Sequence, residues 1–285
     1  MIKSLKTDIE SKTIVSFGNE WQRFDQSLLT ASEAQSIFDD YFRIFPWECL
    51  PDSAIGFDMG CGTGRWAHFV SQRVAELHCV DPSDALEVAR KNLACVSNVV
   101  FYKETLQDCS LGEGSFDFGY SLGVLHHMSD TEEAIRRCTD LLRAGAPLLL
   151  YLYYNFENRS YAYFLLWKVS NVFRLLISKL PERIKSFCTD LIAIVVYWPI
   201  SRFSFLLNKV GFNIVSFPLA YYRNLSLYTL RTDARDRFGT PLEKRFSRKQ
   251  ITRMLESAGL ERIKFSDSPP YWCVVAFKTS RSESS

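Results

Sequence analysis

No two of the eight cysteines form a CxxC pair; they are scattered, mostly on apolar runs, which argues for reduced core thiols rather than disulfides or zinc. A run of about 18 uncharged apolar residues, the length that crosses a bilayer, is also missing. The longest candidate, Leu191 to Ile200, has ten residues and is bordered by Asp190 and Arg202, so it is expected to lie on a membrane at most. Charge of one sign is not in excess: 34 Lys and Arg against 32 Asp and Glu leave +2, too balanced for a surface that is one nucleic-acid footprint. Internal repeats and low-complexity stretches are absent. The N-terminal MIKSLKTDIESK alternates charged and apolar residues without a secretory apolar core, from which a cytoplasmic location is expected.

What is present is an ordinary globular composition, 285 residues with 47% hydrophobic and 23% charged, enough for one large domain or one domain carrying an insertion. The charge is unevenly spread. Residues 155–240 hold 12 Lys and Arg against 5 Asp and Glu, net +7, with 17 aromatics, which leaves the rest of the chain at −5. This segment is read as a basic aromatic insertion or cap.

From Ser53 onward short apolar runs alternate with amphipathic ones, the pattern of a parallel sheet covered by helices. Strands are expected near 54–59, 77–80, 99–102, 116–121 and 148–153, and helices near 65–74, 84–93 and 131–142. Ser129 and Asp130 are placed to cap the helix at 131. Later, Ser247 and Gln250 form a capping-box pattern and Gly259 a helix stop. The runs 261–265 and 271–277, joined by a short turn, are expected to be antiparallel.

The most informative segment is Ile55-Gly-Phe-Asp-Met-Gly-Cys-Gly-Thr-Gly-Arg-Trp66: a strand ending near Asp58, then glycines at 60, 62 and 64, then a helix. Glycines there allow a tight turn and close approach of a ligand at the carboxyl end of the strand. The spacing is GxGxG rather than the GxGxxG of a dinucleotide fingerprint, with Arg65 where the third glycine would stand, and no Lys-Ser/Thr pair follows. Asp81 ends the second strand 21 residues after Gly60, the spacing at which a carboxylate takes the hydroxyls of a ribose. Asp58 adds a second acid where a pyrophosphate would lie, which favours an adenosine ligand bearing an amine. S-adenosylmethionine has that amine and a sulfonium.

As a set, the loop at 55–64, Val80-Asp81-Pro82, Phe116-Asp117 leading into Ser121-Leu-Gly-Val-Leu-His-His, and Leu141-Leu142-Arg-Ala-Gly145 resemble the class I S-adenosylmethionine-dependent methyltransferases of the small-molecule, type 11/12-like group. The resemblance covers roughly 50–155 and 245–278. It implies a Rossmann-like, seven-stranded, mostly parallel α/β sheet with an antiparallel last strand, here with a helical cap inserted after the fifth strand. It also implies that Gly60, Cys61, Gly62 and Gly64 wrap the methionine part, Asp58 receives the ammonium, Asp81 with Pro82 holds the ribose, and Thr105, Leu106 and Ser121 lie along the cofactor. Thr105-Leu106 stands where relatives usually carry an acid and a small residue. Where some relatives bind a metal, this chain has Gly123 and His126, so no metal is expected.

Methyl transfer from a sulfonium needs chiefly positioning, and a base is optional. His126 and His127, past the fourth strand, are candidates for one, or else structural histidines. Tyr154 and its neighbours end the fifth strand on the expected acceptor side, and Trp21, in Phe17-Gly-Asn-Glu-Trp21, resembles an aromatic lid or a helix packed on the sheet. Arg223, Arg231 and Arg237 are candidate anchors for an anionic acceptor, or partners of Asp233 and Asp236 on a loop.

In the cap, 161–180 and 183–210 are two long amphipathic stretches separated by Pro181, more apolar than surface helices should be. Packing over the site, contact with anionic lipid and dimerisation are the three alternatives. The expected organisation is an N-terminal helical lid (1–50), a cofactor-binding core (51–155), the cap (156–245), and a C-terminal helix and hairpin completing the core (246–285). The acceptor is expected to be a small molecule or carrier-linked metabolite and not a nucleic acid. The alternatives are a lipidic acceptor, quinone or polyprenyl-linked, met by a protein peripheral at the inner membrane surface, and a non-catalytic cofactor-binding protein. Oligomeric state is not legible.

Overall fold

The computed structural model describes residues 2–214 and 217–280, with side chains from residue 9 onward. Two helices, α1 (Ile2–Arg23) and α2 (Ala31–Phe42), precede the sheet. The alternation then runs β1 (Ile55–Met59), α3 (Ala67–Val70), β2 (Glu76–Val80), α4 (Ala85–Asn92), β3 (Val99–Tyr102), β4 (Phe118–Leu122), α5 (Thr131–Leu141) and β5 (Pro147–Tyr151). Four helices follow: α6 (Tyr161–Ile177), α7 (Glu182–Ile192), α8 (Trp198–Lys209) and α9 (Leu227–Gly239). The chain closes with α10 (Arg248–Ser257), β6 (Leu260–Phe265) and β7 (Cys273–Lys278).

The seven strands form one sheet in the order β3-β2-β1-β4-β5-β7-β6; β1 to β5 are parallel, and β7 runs antiparallel between β5 and β6. This is the parallel, helix-covered sheet expected from the alternation, in the Rossmann-like seven-stranded form that the resemblance implies. The order reverses at β1/β4, so the carboxyl ends of these central strands form the ligand crevice of an open sheet. Local signals work as read: Asp130 caps α5 by accepting from the Glu133 amide, and Ser247 and Gln250 make the reciprocal capping box of α10.

At the sheet's centre each glycine makes room for an aromatic ring of the neighbouring strand. Gly56 pairs with Phe118 and Phe57 with Gly119. A Cβ built on Gly119 would stand 2.1 Å from the Phe57 ring, and one on Gly56 would stand 2.1 Å from the Phe118 ring. Both rings are fully buried, so neither can swing aside. Gly119→Ala is therefore expected to destabilise the fold by about 2–3 kcal/mol through overpacking, read as a lower urea midpoint with unchanged slope.

The chain divides into two compact units, residues 1–25, 34–155 and 242–285 forming one, and 26–33 with 156–241 the other. In the second unit, α7 and α8 are continuous through a π-helical turn at Ala193–Tyr197. Pro199 offers no amide to the helix ladder, and the wider turn lies immediately before it. Residues 182–209 thus make one 28-residue helix with an 18-residue stretch of mean hydropathy 1.5, long and apolar enough by length and composition to cross a membrane. The sequence still offers no uncharged run of that length, since Asp190 and Arg202 lie within the helix; the length is reached by the helix as a whole. Asp190 and Arg202 do not interrupt the helix's apolar exterior, because Asp190 pairs with Arg231 and Arg202 donates to the backbone carbonyl of Arg223.

Candidate functional site

The glycine loop is held by the end of β2. The amides of Gly60 and Cys61 both donate to the Val80 carbonyl, at 2.8 and 3.1 Å, and the Gly62 amide donates to Asp81 Oδ2 at 2.9 Å. Three successive amides that could have formed an anion-binding concavity are already engaged, so the loop is not a phosphate cradle. All three glycines have positive φ: 83° at Gly60, 54° at Gly62 and 74° at Gly64. A Cβ on Gly62 would meet nothing nearer than the Trp21 indole at 3.5 Å, which leaves that face of the loop open. The Cys61 thiol stays protonated, first through its contact with Cys79 and then through burial, which suits packing rather than reactivity.

Asp81 is 8% exposed, and its other oxygen, Oδ1, accepts from the Ser83 amide at 2.8 Å and the Ser83 hydroxyl at 2.6 Å. A carboxylate has about four acceptor positions and three are filled, so the carboxylate that braces the loop keeps room for one ligand hydroxyl. Burial raises its pKa, against the pull of the Ser83 and Gly62 donors. Pro82 between them is half-buried. Sequence reasoning missed Ser83, although a serine two residues after an aspartate is an Asx-turn signal.

Asp58, on β1, is 1% exposed, and its Oδ2 has no hydrogen-bond partner among the described residues. Burial pushes its carboxyl up to about 8, the Tyr120 phenol beside it pulls it back, and Asp81 pushes it further up. A buried carboxyl oxygen left without a donor is costly and calls for an explanation. An ammonium bound next to it would supply both the missing donor and the charge that lets it ionise. Tyr120 falls within the strand expected at 116–121 and is not among the expected site residues; its position in β4, paired with Asp58 in β1, is what brings it to the site.

Helix α1 crosses the carboxyl ends of the central strands. Glu10 accepts from the Ser129 amide at 2.7 Å, the Phe17 ring lies 5.0 Å from that of His127, Gly18 abuts Ser83 and Asp84, and Trp21 faces Gly62. The chain between β4 and α5, the loop after β1 and the loop after β2 are thus touched by one helix. Arg65 lies with its guanidinium 4.0 Å above Trp66 and 5.8 Å from Trp21, fastening the loop to this helix.

The remaining candidates are less uniform. Ser121, fully buried, donates to the Met59 carbonyl at 2.7 Å and ties β4 to β1. Leu106 is 8% exposed, while Thr105 exchanges hydrogen bonds with Asp108 in the loop after β3. His126 is fully buried, its ring 3.9 Å from Tyr153 and 4.0 Å from His127; burial, then His127 and Arg245, hold its pKa well below the usual imidazole value. The Nδ1–H of His127 faces the Leu242 carbonyl at 2.5 Å, which fixes its tautomer. Tyr154 is placed against Tyr271 and Trp272, on the hydrophobic core.

The three arginines belong to the second unit and are bonded within it. Arg231 makes a bidentate pair with Asp190, Arg223 donates to the Ala220 carbonyl, and Arg237 reaches Ser170. Arg231 and Arg237 lie on helix α9 rather than on a loop, Arg223 lies on the 3-10 turn Ala220–Asn224, and Arg231 pairs with Asp190 on α7. Arg235, which the sequence did not single out, is the fully buried arginine, and both oxygens of Glu182 accept from it.

Residues 57–150 match the methyltransferase domain family. Among curated proteins, the human "Probable tRNA methyltransferase 9B" is 33% identical over 125 residues, 43% of this chain and 26% of that protein. The ubiquinone biosynthesis O-methyltransferase of Stutzerimonas stutzeri (strain A1501) is 30% identical over 94 residues, 32% of this chain and 40% of that protein. The chain thus spans well under half the length of these relatives. A solved structure from Nostoc punctiforme, described as a "putative O-methyltransferase", superposes with a TM-score of 0.51 at 16% identity, covering 90% of this chain and 60% of that one; the likeness bears on the fold.

Proposed function

We propose that this chain, which carries a class I S-adenosylmethionine-dependent methyltransferase domain, transfers a methyl group to a small organic acceptor. The observation that carries the reading is the buried Asp58 carboxyl, with its Oδ2 lacking a donor, directly before a glycine loop whose first three amides are already engaged. When bound, S-adenosylmethionine supplies an electrophilic methyl on a sulfonium, a good leaving group. Asp58 would take the ammonium, Gly60 to Gly64 would line the methionine part, and Asp81 would receive a ribose hydroxyl while keeping the loop in shape. Leu106 offers an apolar neighbour for the adenine. Trp21 and Phe17 on α1 exclude water from the carboxyl ends of β1 and β4, where a desolvated site strengthens charge interactions.

If a base assists, His126 and His127 are the groups to supply it. Held neutral by burial, His126 would act without an acid limb near pH 6.5, so a rate at saturating cofactor that stays flat from pH 6 to 8 is the signature of that role. Replacing Asp81 by Ala is expected to weaken S-adenosylmethionine binding by about 1–3 kcal/mol, from the lost ribose bond and the loosened Gly62 amide. Calorimetric titration checks this, and unchanged affinity removes Asp81 from the site.

A second reading, an acceptor of lipidic character such as a quinone or a polyprenyl-linked intermediate, is favoured by the apolar exterior of α6 to α8. The two are separated by supplying methyl-labelled S-adenosylmethionine and the protein to a cell extract. Label in small aqueous species supports the first, label in the organic-solvent phase supports the second, and label in RNA contradicts both.

A further inference from the structure

In the second unit, helices α6 to α8 are built inside out, while α9 supplies the buried apolar residues Leu230, Ala234 and Phe238. In α6 the buried residue is Arg174; in α7 they are Lys185 and Thr189; in α8 they are Ser201 and Ser204, with Ala193 in the turn between. Around them the interior is ionic: Arg235 is closed by Glu182, Arg231 pairs with Asp190, and Arg174 donates to Asn171 and to the Thr240 carbonyl. The exterior is the opposite. Leu166, Phe173, Phe187, Val195, Phe203 and Leu206 are each more than half exposed, Phe187 at 68%. A water-facing unit of this size carries scattered exposed apolar residues; one whose polar residues turn inward and whose apolar residues turn outward has the distribution of a protein in lipid.

The charges that remain outside share one sign. Between residues 161 and 212 the exposed charged residues are Lys168, Lys179, Arg183 and Lys209; of the acids there, Asp190 is half-buried against Arg231, and Glu182, its side chain 39% exposed, is held by Arg235. Lys179 and Arg183 bracket the turn at Pro181 and Lys209 ends α8, places from which long cationic stems can reach headgroups while the helix body is submerged. Trp198, Tyr161 and Tyr197 add the amphipathic rings that favour the boundary between hydrocarbon and water. We propose that α6 and the 182–209 helix lie in the plane of an anionic lipid bilayer, with their apolar faces in the outer hydrocarbon and the four exposed cations among the phosphates.

In-plane insertion is chosen over crossing because of what the 182–209 helix holds on its inner side. A transbilayer path would carry Asp190 and Lys185, together with the α9 residues Arg231 and Arg235, into the hydrocarbon. Lying flat, the helix keeps that ionic interior on the water side and buries only the face that water does not favour.

The test is flotation of the full chain with phosphatidylcholine vesicles containing 30 mol% phosphatidylglycerol, and with phosphatidylcholine alone, at about 50 and 500 mM salt. The expected result is co-flotation with the anionic vesicles at low salt, weakened at least tenfold in the Phe187→Ser, Val195→Ser, Phe203→Ser triple variant. Replacing Lys168, Lys179, Arg183 and Lys209 by Gln is expected to abolish the preference for anionic lipid. Because the substituted side chains are exposed, the variants should melt as the parent does. S-adenosylmethionine binding, measured on the same samples, reports separately on the cofactor site. Three results overturn the proposal: no flotation at low salt, equal flotation of the triple variant, or a stable dimer that the triple variant disperses. Bilayer-bound protein that resists extraction at pH 11 overturns the in-plane placement.

Discussion

Asp58→Asn is expected to melt higher than the parent at pH 7 while losing most of its affinity for S-adenosylmethionine. In the folded chain the Asp58 carboxyl is raised from an ordinary value of 3.8 to about 8, chiefly by burial. Between those two values the unfolded chain releases its proton and the folded chain keeps it. The stability associated with the protonated group is complete below the unfolded value and is lost as pH rises through the folded one. At pH 7 roughly three pH units of that window have been crossed, a cost of about 2–4 kcal/mol that a neutral amide of the same shape does not incur. Thermal melting from pH 4 to 8 should therefore show the parent losing ground to the variant as pH rises. Cofactor binding should show the reverse. An ammonium needs the ionised carboxylate, so the parent's affinity rises with pH up to about 8, at most tenfold per unit, and the variant's does not. A variant that is less stable at every pH contradicts the assignment of Asp58 as a strained, ligand-awaiting acid.

Gly60 and Gly62 of the loop should part company on substitution. Gly60 has φ 83°, and a Cβ there would stand 2.4 Å from Val124 Cγ2 and 2.7 Å from Cγ1, a β-branched side chain with little freedom to retreat. Left-handed strain of about 1–2 kcal/mol and overpacking of about 1–3 kcal/mol add to a loss of roughly 2–4 kcal/mol in Gly60→Ala. Gly62, at φ 54°, meets only the Trp21 indole at ordinary contact distance. Gly62→Ala should cost no more than about 1–2 kcal/mol of backbone strain. It nevertheless places a methyl on the open face of the loop under α1, so its cofactor affinity should fall further than its stability does. Differential scanning calorimetry with a parallel binding titration separates the two outcomes. Equal losses of stability would mean that the loop's packing against Val124 is not what fixes Gly60.

The sheet was legible because its central strands β1, β4, β5 and β7 are buried on both sides and the strands are bounded by glycine and acidic punctuation; each expected strand lies within two residues of the observed one. The loop and its two acids were legible for the same reason, since their chemistry follows from spacing along one βαβ unit. What the sequence did not disclose depends on contacts between distant segments. Arg231 meets Asp190, 41 residues away, and Arg235 meets Glu182, 53 residues away. The amphipathic pattern of α6 to α8 says that each helix has two faces, but an apolar face conventionally points inward, and only the placement of Arg174, Lys185 and Thr189 shows that here it points out. Tyr154 belongs to the core because β5 ends against Trp272, a neighbour supplied by the final hairpin. Crossing of the central strands by α1 rests on single contacts such as Glu10 to the Ser129 amide, for which no local pattern exists.

The account turns on whether this crevice binds S-adenosylmethionine through Asp58 and Asp81. Isothermal titration of the purified chain with S-adenosylmethionine at pH 6.5, 7.5 and 8.5 tests it most directly. The predicted result is one saturable site whose affinity increases across the series and flattens near pH 8, weakens in Asp81→Ala, and loses its pH dependence in Asp58→Asn. Absence of saturable binding by a protein that is demonstrably folded, or binding that Asp58→Asn leaves unchanged at all three pH values, would contradict it.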